Sequence, residues 1–245
     1  KTTTLYAILS KLNEPGVKII TLEDPVEYKI SGITQTPIAA SQGLTFATGL
    51  RAILRQDPDI VMVGEMRDLE TAETGAQAAL TGHIVLSTLH TNDAASAIPR
   101  LLDLGVKPFI LAPAINAIIA QRLVRKICTF CKQEYKPEKT IMARVEMILK
   151  NIPDSAQVKL PKQLKFHHSL GCPKCNGLGY KGRMGVYEIF TISENIEKLI
   201  TKQASTSEIR NQAIKEGMIT MAQDGIIKSL AAITDIEEVF RVTEE

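Results

Sequence analysis

The chain has 245 residues, 44% of them hydrophobic and 23% charged, which is enough for one large domain with a smaller one or two. Its 29 lysines and arginines nearly balance 27 aspartates and glutamates, and a net charge of +2 argues against a dominant electrostatic attraction to nucleic acid or acidic lipid. Tryptophan is absent and aromatic residues make up 4%, which disfavours stacking platforms for single-stranded nucleic acid. The most apolar stretch, residues 109–120, is too short to cross a bilayer.

Helices and strands alternate over the first hundred residues. Leu5, Ile8, Leu9 and Leu12 share one face of a helix at the start of the sequence, and Gly16 ends it. The pattern then predicts buried strands over residues 17–22, 60–63 and 84–89, helices over 45–55, 68–80 and 93–104, and an irregular or hairpin segment over 28–44. A parallel sheet of the α/β class is the simplest fold for this order.

A different pattern follows Pro108. Residues 109–126 predict a further helix, a segment with four cysteines comes next, and residues 194–241 predict several short amphipathic helices. We therefore expect three parts: an α/β core over residues 1–126, a cysteine-containing element over 127–186 and a helical region over 187–245.

Ionisable side chains follow three of the predicted strands at their carboxyl ends. The first strand leads to Glu23, Asp24 and Glu27, the second to Glu65, and the third to His90. Ligands of open parallel sheets bind outside these strand ends, so together the residues predict a site. For any one of them, a loop that is polar because it is exposed is an equally good explanation.

Lys1 and Thr2 precede the first predicted helix, as the last two residues of a phosphate-binding loop do. In such a loop the lysine reaches the β- and γ-phosphates, and the hydroxyl ligates Mg²⁺. An apolar strand that ends in an acidic residue, as residues 60–65 do, supplies the other group on the metal side. Each signal is weak alone, because a lysine–threonine pair is common and a buried strand followed by a solvated glutamate is also common.

The four cysteines form two CxxC pairs, Cys128 with Cys131 and Cys172 with Cys175. Four thiolates suit a structural Zn²⁺ with tetrahedral geometry and no open position. Free thiols are the alternative. A redox role is disfavoured because a redox CxxC needs no second pair.

Taken together, these segments resemble the ATPases of type II secretion and type IV pilus assembly, in the secretion ATPase superfamily. The resemblance covers nearly the whole chain and is carried by KTTTLY at 1–6, TLEDPVE at 21–27, LRAILRQDPD at 50–59, VGEMRDLET at 63–71, TGH at 81–83, STLHT at 87–91, AQRLV at 120–124 and GRMGVYE at 182–188. It implies a RecA-like P-loop NTPase core with a zinc-binding tetracysteine insertion and a C-terminal helical region.

The resemblance also implies roles for individual residues. Lys1, Thr2 and Thr3 match the end of the Walker A loop, and Thr2 and Glu65 match the groups on the Mg²⁺ side. Glu27 matches the carboxylate that orients or deprotonates the attacking water, with Glu23 and Asp24 beside it.

Histidines and arginines complete the implied set. His83 and His90 match a "His box" that senses nucleotide, and His90 is expected to contact it. Four arginines match residues linked to charge stabilisation, subunit contacts or conformational coupling: Arg51, Arg55, Arg67 and Arg183. A solvated basic helix face is the alternative for the first two, and a structural hydrogen-bonding group is the alternative for an isolated histidine at a strand end.

The function implied is Mg²⁺-dependent ATP hydrolysis by a homo-hexamer. The motor is expected to be cytoplasmic, to work against an inner-membrane platform protein and to bind no nucleic acid. The four cysteines favour pilus assembly or secretion over pilus retraction, since the family's retraction motors usually lack them. Only the last part of the phosphate loop is present in this sequence, so we expect the isolated chain to bind ATP weakly or not at all.

Two other classes of function remain open at this stage. A zinc ribbon that binds nucleic acid is permitted by the CxxC pairs and weakened by the balanced charge. A nucleotide-free scaffold that docks to partner subunits is permitted by the incomplete phosphate loop.

Overall fold

The computed structural model describes residues 1–161 and 163–243. The chain forms two compact units: the first contains Lys1–Asn116 and Ile192–Glu208, and the second contains Ala117–Thr191 and Ile209–Glu245. Each unit is therefore built from two separate segments of the chain. The division expected at residues 126 and 186 follows sequence motifs rather than packing, and it stays a prediction.

The helices and strands follow one another in this order: α1 (Thr2–Leu12), β1 (Ile19–Glu23), β2 (Thr34–Pro37), α2 (Phe46–Leu54), β3 (Ile60–Val63), α3 (Leu69–Leu80), β4 (Ile84–Ser87), α4 (Ala97–Asp103), α5 (Pro108–Ala114), β5 (Ala117–Ile127), β6 (Lys132–Tyr135), α6 (Lys139–Lys150), β7 (Phe166–Ser169), β8 (Tyr180–Thr191), α7 (Glu194–Thr201), α8 (Thr206–Lys215), α9 (Met221–Leu230) and α10 (Ile236–Thr243). Short 3₁₀ turns lie between some of them.

A four-stranded parallel sheet in the order β2-β1-β3-β4 forms the centre of the first unit, which confirms the α/β class. Every residue of β1 and β3 is buried, as expected for inner strands of a parallel sheet covered on both faces. Two apolar clusters cover these faces, one formed with α1 (Tyr6, Leu9, Ile19, Ile60, Met62) and one with α2 (Ile20, Leu22, Leu50, Ile53, Val61, Val63).

The polar segment over residues 28–44 contains the edge strand β2, which the sequence did not predict. Thr34–Pro37 runs parallel to β1 and pairs with it, so the segment is not a hairpin. An edge strand needs no apolar run, and proline is tolerated where its missing N–H faces away from the ladder. For this reason the four residues carry no strand signal of their own.

The prediction of a helix over residues 109–126 is wrong beyond Ala114. Helix α5 ends there, and β5 then runs for eleven residues as an antiparallel partner of β8. The β-branched pair Ile118 and Ile119 favours a strand, and Val124 is buried between exposed neighbours. Its apolar residues do not alternate strictly, so the sequence pattern alone does not distinguish this strand from a helix.

Residues 132–170, for which the sequence suggested no role, contribute β6, α6 and β7 to the core of the second unit. Val145 and Leu149 of α6 and Phe166 of β7 are buried against α9 and α10. Met142 packs against the same cluster, so the apolar stripe of α6 is core. The predicted short helices of the C-terminal region are confirmed as α7 to α10. No helix within the described ranges is long and apolar enough to cross a membrane.

Candidate functional site

The carboxyl ends of β1, β3 and β4 bring together predicted site residues that are distant in sequence. Glu65 follows β3 and His90 follows β4, and His90 Nε2 lies 3.2 Å from Glu65 Oε2. Lys1, at the start of α1, donates from Nζ to the carbonyl oxygen of Leu89 at 2.6 Å. Lys1, Glu65 and His90 therefore share one edge of the sheet, as the placement rule for parallel sheets predicts.

Glu65 lies in a fixed position at this edge. Its backbone is anchored because Gly64 N donates to Leu22 O at 2.8 Å and Thr88 Oγ1 donates to Gly64 O at 2.7 Å. Its side chain is only 12% exposed, and one carboxylate oxygen pairs with Arg67 while the other faces His90. A carboxylate held in this way has a defined direction before any ligand arrives, which favours a role in orienting a metal or a water molecule.

Glu23, the last residue of β1, is buried and surrounded by hydrogen-bond donors. Thr21 Oγ1 donates to it at 2.6 Å, Gln35 Nε2 donates at 3.1 Å, and the hydroxyl of Tyr6 donates to its second oxygen. Burial, followed by the hydrogen bond to Glu23, raises the pKa of Tyr6 to about 12, so the phenol stays protonated as a donor. With both oxygens engaged by the protein, Glu23 is placed to hold structure.

Asp24 and Glu27 lie beyond Glu23 on the exposed loop that follows β1. The backbone N–H of Glu27 donates to the hydroxyl of Tyr6 at 3.3 Å, so the loop is held near α1. Thr2 is half-buried and Thr3 exposed in the first turn of α1. The N–H groups of Thr4 and Leu5 donate to Lys1 O at 3.0 and 3.1 Å, so within this turn the amides of Thr2 and Thr3 are the ones suited to an anion.

The two histidines predicted to form one group lie at opposite ends of β4. His83 precedes the strand, and its Nδ1 lies 3.0 Å from Ala78 O and 3.1 Å from Thr81 Oγ1. His90 follows the strand and faces Glu65. His83 and His90 therefore have different hydrogen-bond partners, and their common role in sensing nucleotide stays a prediction.

The four arginines also occupy different places. Arg51 of α2 pairs with Glu70 of α3, and both side chains are about half exposed. Arg55 is exposed at the end of α2, and Arg67 pairs with Glu65. Arg183 belongs to the second unit, where it is exposed on β8 opposite Arg125 of β5.

The four cysteines of the second unit form one cluster, in which all Sγ atoms lie within 4.8 Å of one another. Three Sγ pairs are separated by 3.7–3.9 Å: Cys128–Cys172, Cys131–Cys175 and Cys172–Cys175. Four sulfurs around a zinc ion, each at the usual Zn–S bond length, are about 3.8 Å apart, so the cluster fits tetrahedral Zn²⁺. The neighbouring His168 stacks on Tyr135 instead of joining the cluster.

Backbone geometry supports the cysteine cluster. The N–H groups of Cys172 and Gly179 donate to Cys175 Sγ at 3.1 and 3.3 Å. Burial raises the pKa of Cys175, but these two hydrogen bonds and those with the side chains of Cys172 and Cys131 together outweigh it and lower the pKa to about 7. Gly171 is required here because it has a positive φ and a Cβ would lie 2.4 Å from Gly177 O.

Sequence reasoning missed two groups of residues. The first is Tyr6 with Gln35, which hold Glu23 and the loop after it; a tyrosine on the buried face of α1 was the available signal, because its hydroxyl needs a partner. The second is Glu238 of α10, buried and bonded to Arg125 and Arg241. No short-range pattern indicates this second group, because Arg125 and Glu238 are far apart in sequence.

Comparisons with known proteins show what this chain is similar to. The family described as "Type II/IV secretion system protein" matches residues 1–241. Over all 245 residues, the chain is 46% identical to the type II secretion system protein E of Pseudomonas aeruginosa and 44% identical to the type IV pilus assembly ATPase PilB of Thermus thermophilus. It spans 46% and 26% of their lengths, respectively, which is less than half of either relative.

Solved structures show the same fold. The pilus retraction motor PilT with bound ADP is 26% identical, with a TM-score of 0.67, and the match covers 100% of this chain and 58% of PilT. The Legionella pneumophila ATPase DotB is 21% identical, with a TM-score of 0.66 over 99% of this chain and 56% of DotB, and this match concerns the fold alone.

Proposed function

The chain belongs to the type II/IV secretion system protein family, and from this premise we propose that it is the catalytic part of an ATP-hydrolysing motor. The motor drives type IV pilus assembly or type II protein secretion. The single observation that carries the assignment is the meeting of Lys1, Glu65 and His90 at the carboxyl edge of the parallel sheet. A zinc-ribbon module for nucleic acid is not favoured, because the family match extends over both units and not only over the cysteines.

The residues at this edge fit Mg-ATP as ligand. The first turn of α1 offers the amides of Thr2 and Thr3 beside Lys1, and Glu65 is a little-exposed carboxylate at the same edge. Bound Mg-ATP supplies a γ-phosphoryl group and a divalent charge. Lys1 neutralises phosphate oxygens, the hydroxyl of Thr2 and the carboxylate of Glu65 lie on the metal side, and Glu27 orients the attacking water.

We propose that Glu65 exchanges one of its two partners when it engages a metal or its water. One of its oxygens is held by Arg67 and the other faces His90. Both partners are mostly exposed, and we expect His90 to leave, because its contact with Glu65 is the longer of the two and the arginine is charged at all physiological pH values. We propose that this exchange is how His90 senses nucleotide.

Zn²⁺ in the second unit has a structural role in this proposal. The cluster supplies four sulfur ligands and leaves no position for a substrate. The cysteines also favour pilus assembly or secretion over retraction. The names of the curated relatives support the same choice, since the type II secretion proteins E and PilB proteins are 43–46% identical to this chain.

Assembly and partners complete the proposal. We infer a cytoplasmic homo-hexamer that works against an inner-membrane platform protein, in which exposed arginines such as Arg55 and Arg183 contact neighbouring subunits. This part is supported by membership of the family. The RecA-like character of the core is likewise an inference, supported by the parallel sheet order and by the likeness to PilT.

The test is Mg²⁺-dependent ATP turnover by the full-length protein and its Glu65→Gln variant. The substitution removes the charge on the metal side and keeps the shape, so turnover should fall at least about 100-fold while ATP still binds. Glu14→Gln is the matched control, because Glu14 is exposed beyond the far end of α1. Wild-type turnover by Glu65→Gln would contradict the proposal.

A further inference from the structure

Tyr6 and Gln35 are the centre of a buried hydrogen-bonded group that ATP hydrolysis as proposed above does not use. We call Tyr6, Thr21, Glu23 and Gln35 the Tyr6 network. The Tyr6 hydroxyl donates to Glu23 Oε2, and Glu23 Oε1 accepts from Thr21 at 2.6 Å and from Gln35 at 3.1 Å. Tyr6 is 1% exposed and Glu23 2% exposed, whereas Gln35 is partly exposed at the sheet edge. A buried charge with several donors is held in one geometry.

The Tyr6 network also holds the backbone of the loop that carries Glu27. The Glu27 N–H donates to the Tyr6 hydroxyl at 3.3 Å. The side-chain amide of Gln35 makes two hydrogen bonds to the backbone of this loop. Its Nε2 donates to Tyr28 O at 3.1 Å, and its Oε1 accepts from Ile30 N at 2.7 Å. The loop is thus attached at three backbone groups by two side chains.

Tyr6 links this loop to the helix that begins at Lys1 and Thr2. It lies five residues after Lys1, about 7.5 Å along the helix axis. Its ring also packs edge-on against Tyr28, with centroids 4.7 Å apart. The loop with Glu27 and the first turn of α1 therefore cannot move independently while the Tyr6 network is intact.

We propose that Tyr6 and Gln35 are positioning residues for ATP hydrolysis: held in place by Glu23, they fix the backbone of the loop that carries Glu27 relative to the start of α1. This inference rests on the proposed function. It assigns Glu23 to the support of the loop and leaves Glu27 as the carboxylate that contacts water. Because an error of about 1 Å in such a position can cost about 100-fold in rate, the network affects the chemical step more than binding.

The test compares Tyr6→Phe with Tyr28→Phe in the full-length protein. Tyr6→Phe keeps the ring and removes the hydroxyl, so kcat should fall about 10- to 100-fold while KM for ATP changes less than about twofold. Hydrogen exchange of the Glu27 amide should become faster. Tyr28→Phe is the matched control, because its ring lies beside Tyr6 and, among the described residues, its hydroxyl has no hydrogen bond. It should leave both measurements at wild-type values.

A second pair of variants addresses folding, since Tyr6→Phe leaves a buried carboxylate short of a donor. The double variant Tyr6→Phe with Glu23→Gln removes the buried charge, so it should fold while its kcat stays low. Gln35→Met removes the other attachment of the loop and should give the same split between kcat and KM.

The outcomes separate this inference from the proposed function. A wild-type kcat in Tyr6→Phe, or in the folded double variant, would overturn the inference. The proposed function would still stand if Glu65→Gln had lost turnover. If kcat fell and KM rose by the same factor, the inference would also be overturned, because a general loss of structure would then explain the lower activity. A full-length protein without ATP turnover would overturn both.

Discussion

Two glutamates that are four residues apart have opposite surroundings. Glu23 is buried at the end of β1 with three side-chain donors, whereas Glu27 is exposed on the loop. The sequence does not distinguish the two residues, because both follow an apolar strand in one acidic segment. The difference arises because Glu23 still belongs to the strand, where it pairs with Pro37 of β2 and faces the side chains of α1 and β2.

This difference predicts opposite effects for the same substitution. Glu27→Gln should lower kcat about 100-fold and leave the unfolding temperature unchanged, because the side chain is exposed and acts on water. Glu23→Gln should lower the free energy of unfolding by about 1–2 kcal/mol, because an amide places a donor against other donors. Turnover measurements and thermal unfolding of both variants check the prediction. A stable Glu23→Gln protein and an unstable Glu27→Gln protein would reverse the assignment.

At the scale of elements, the sequence predicted those whose stability is local and missed those that depend on a partner. Helix α3 has both signals that a single segment can carry, since Asp68 accepts from Thr71 N at its start and apolar residues repeat along it. Strand β2 has neither a capping residue nor an apolar pattern, and it forms because it pairs with the edge of β1. The sequence predicts a helix where β5 lies, because its apolar residues fit both periods over a short stretch, and only pairing with β8 decides between them.

The same reasoning applies to the site. The positions of Glu65 and His90 were predictable, because the carboxyl ends of parallel strands meet at one edge. The separation of His83 from His90 also follows from the strand between them, although the resemblance assigns both to one His box. The Tyr6 network was not predictable in this way, because its members come from α1, β1 and β2 and meet only after folding.

Helix α10 is attached to β5 by hydrogen bonds to the Glu238 carboxylate, and the contribution of this carboxylate to stability depends on pH. Glu238 accepts from Arg125 N at 2.9 Å, from Arg125 Nη2 at 2.7 Å, and from Arg241 Nε and Nη2 at 2.7 Å. Burial raises the pKa of Glu238, but the hydrogen bonds from the two arginines outweigh it and lower the pKa to about 2, from 4.5 in a free side chain.

A carboxylate with a lowered pKa stabilises the fold above its unfolded-state value, and this contribution is lost as the pH falls from about 4.5 to about 2. Glu238→Gln should therefore reduce stability at pH 6 by about 2–3 kcal/mol, because two arginines lose a buried partner. The deficit should shrink near pH 3. Urea unfolding at both values checks this, with Glu237→Gln as control, since Glu237 is exposed on the same helix. An equal deficit at both pH values would contradict it.

On the scale of the whole molecule, two compact units have separate sources of stability. The first unit relies on a parallel sheet covered by helices on both faces, with apolar clusters that contain no cysteine. The second has two small two-stranded sheets, which need additional support. That support comes from the cluster around Phe166 and from the four cysteines, which tie the segment around Cys128 to the turn around Cys172.

Removal of metal should therefore destabilise the second unit selectively. A structural Zn²⁺ contributes on the order of 10 kcal/mol, so a chelator, or Cys175→Ser, should lower the unfolding temperature of one calorimetric transition by more than about 10 °C. The other transition should stay in place, because the first unit contains no ligand. Lys174→Ser, an exposed change beside the ligand, should keep one zinc per chain by emission spectroscopy and unfold like the wild type. If both transitions moved together, the two units would be one cooperative body; if neither moved, the cysteines would hold no structural metal.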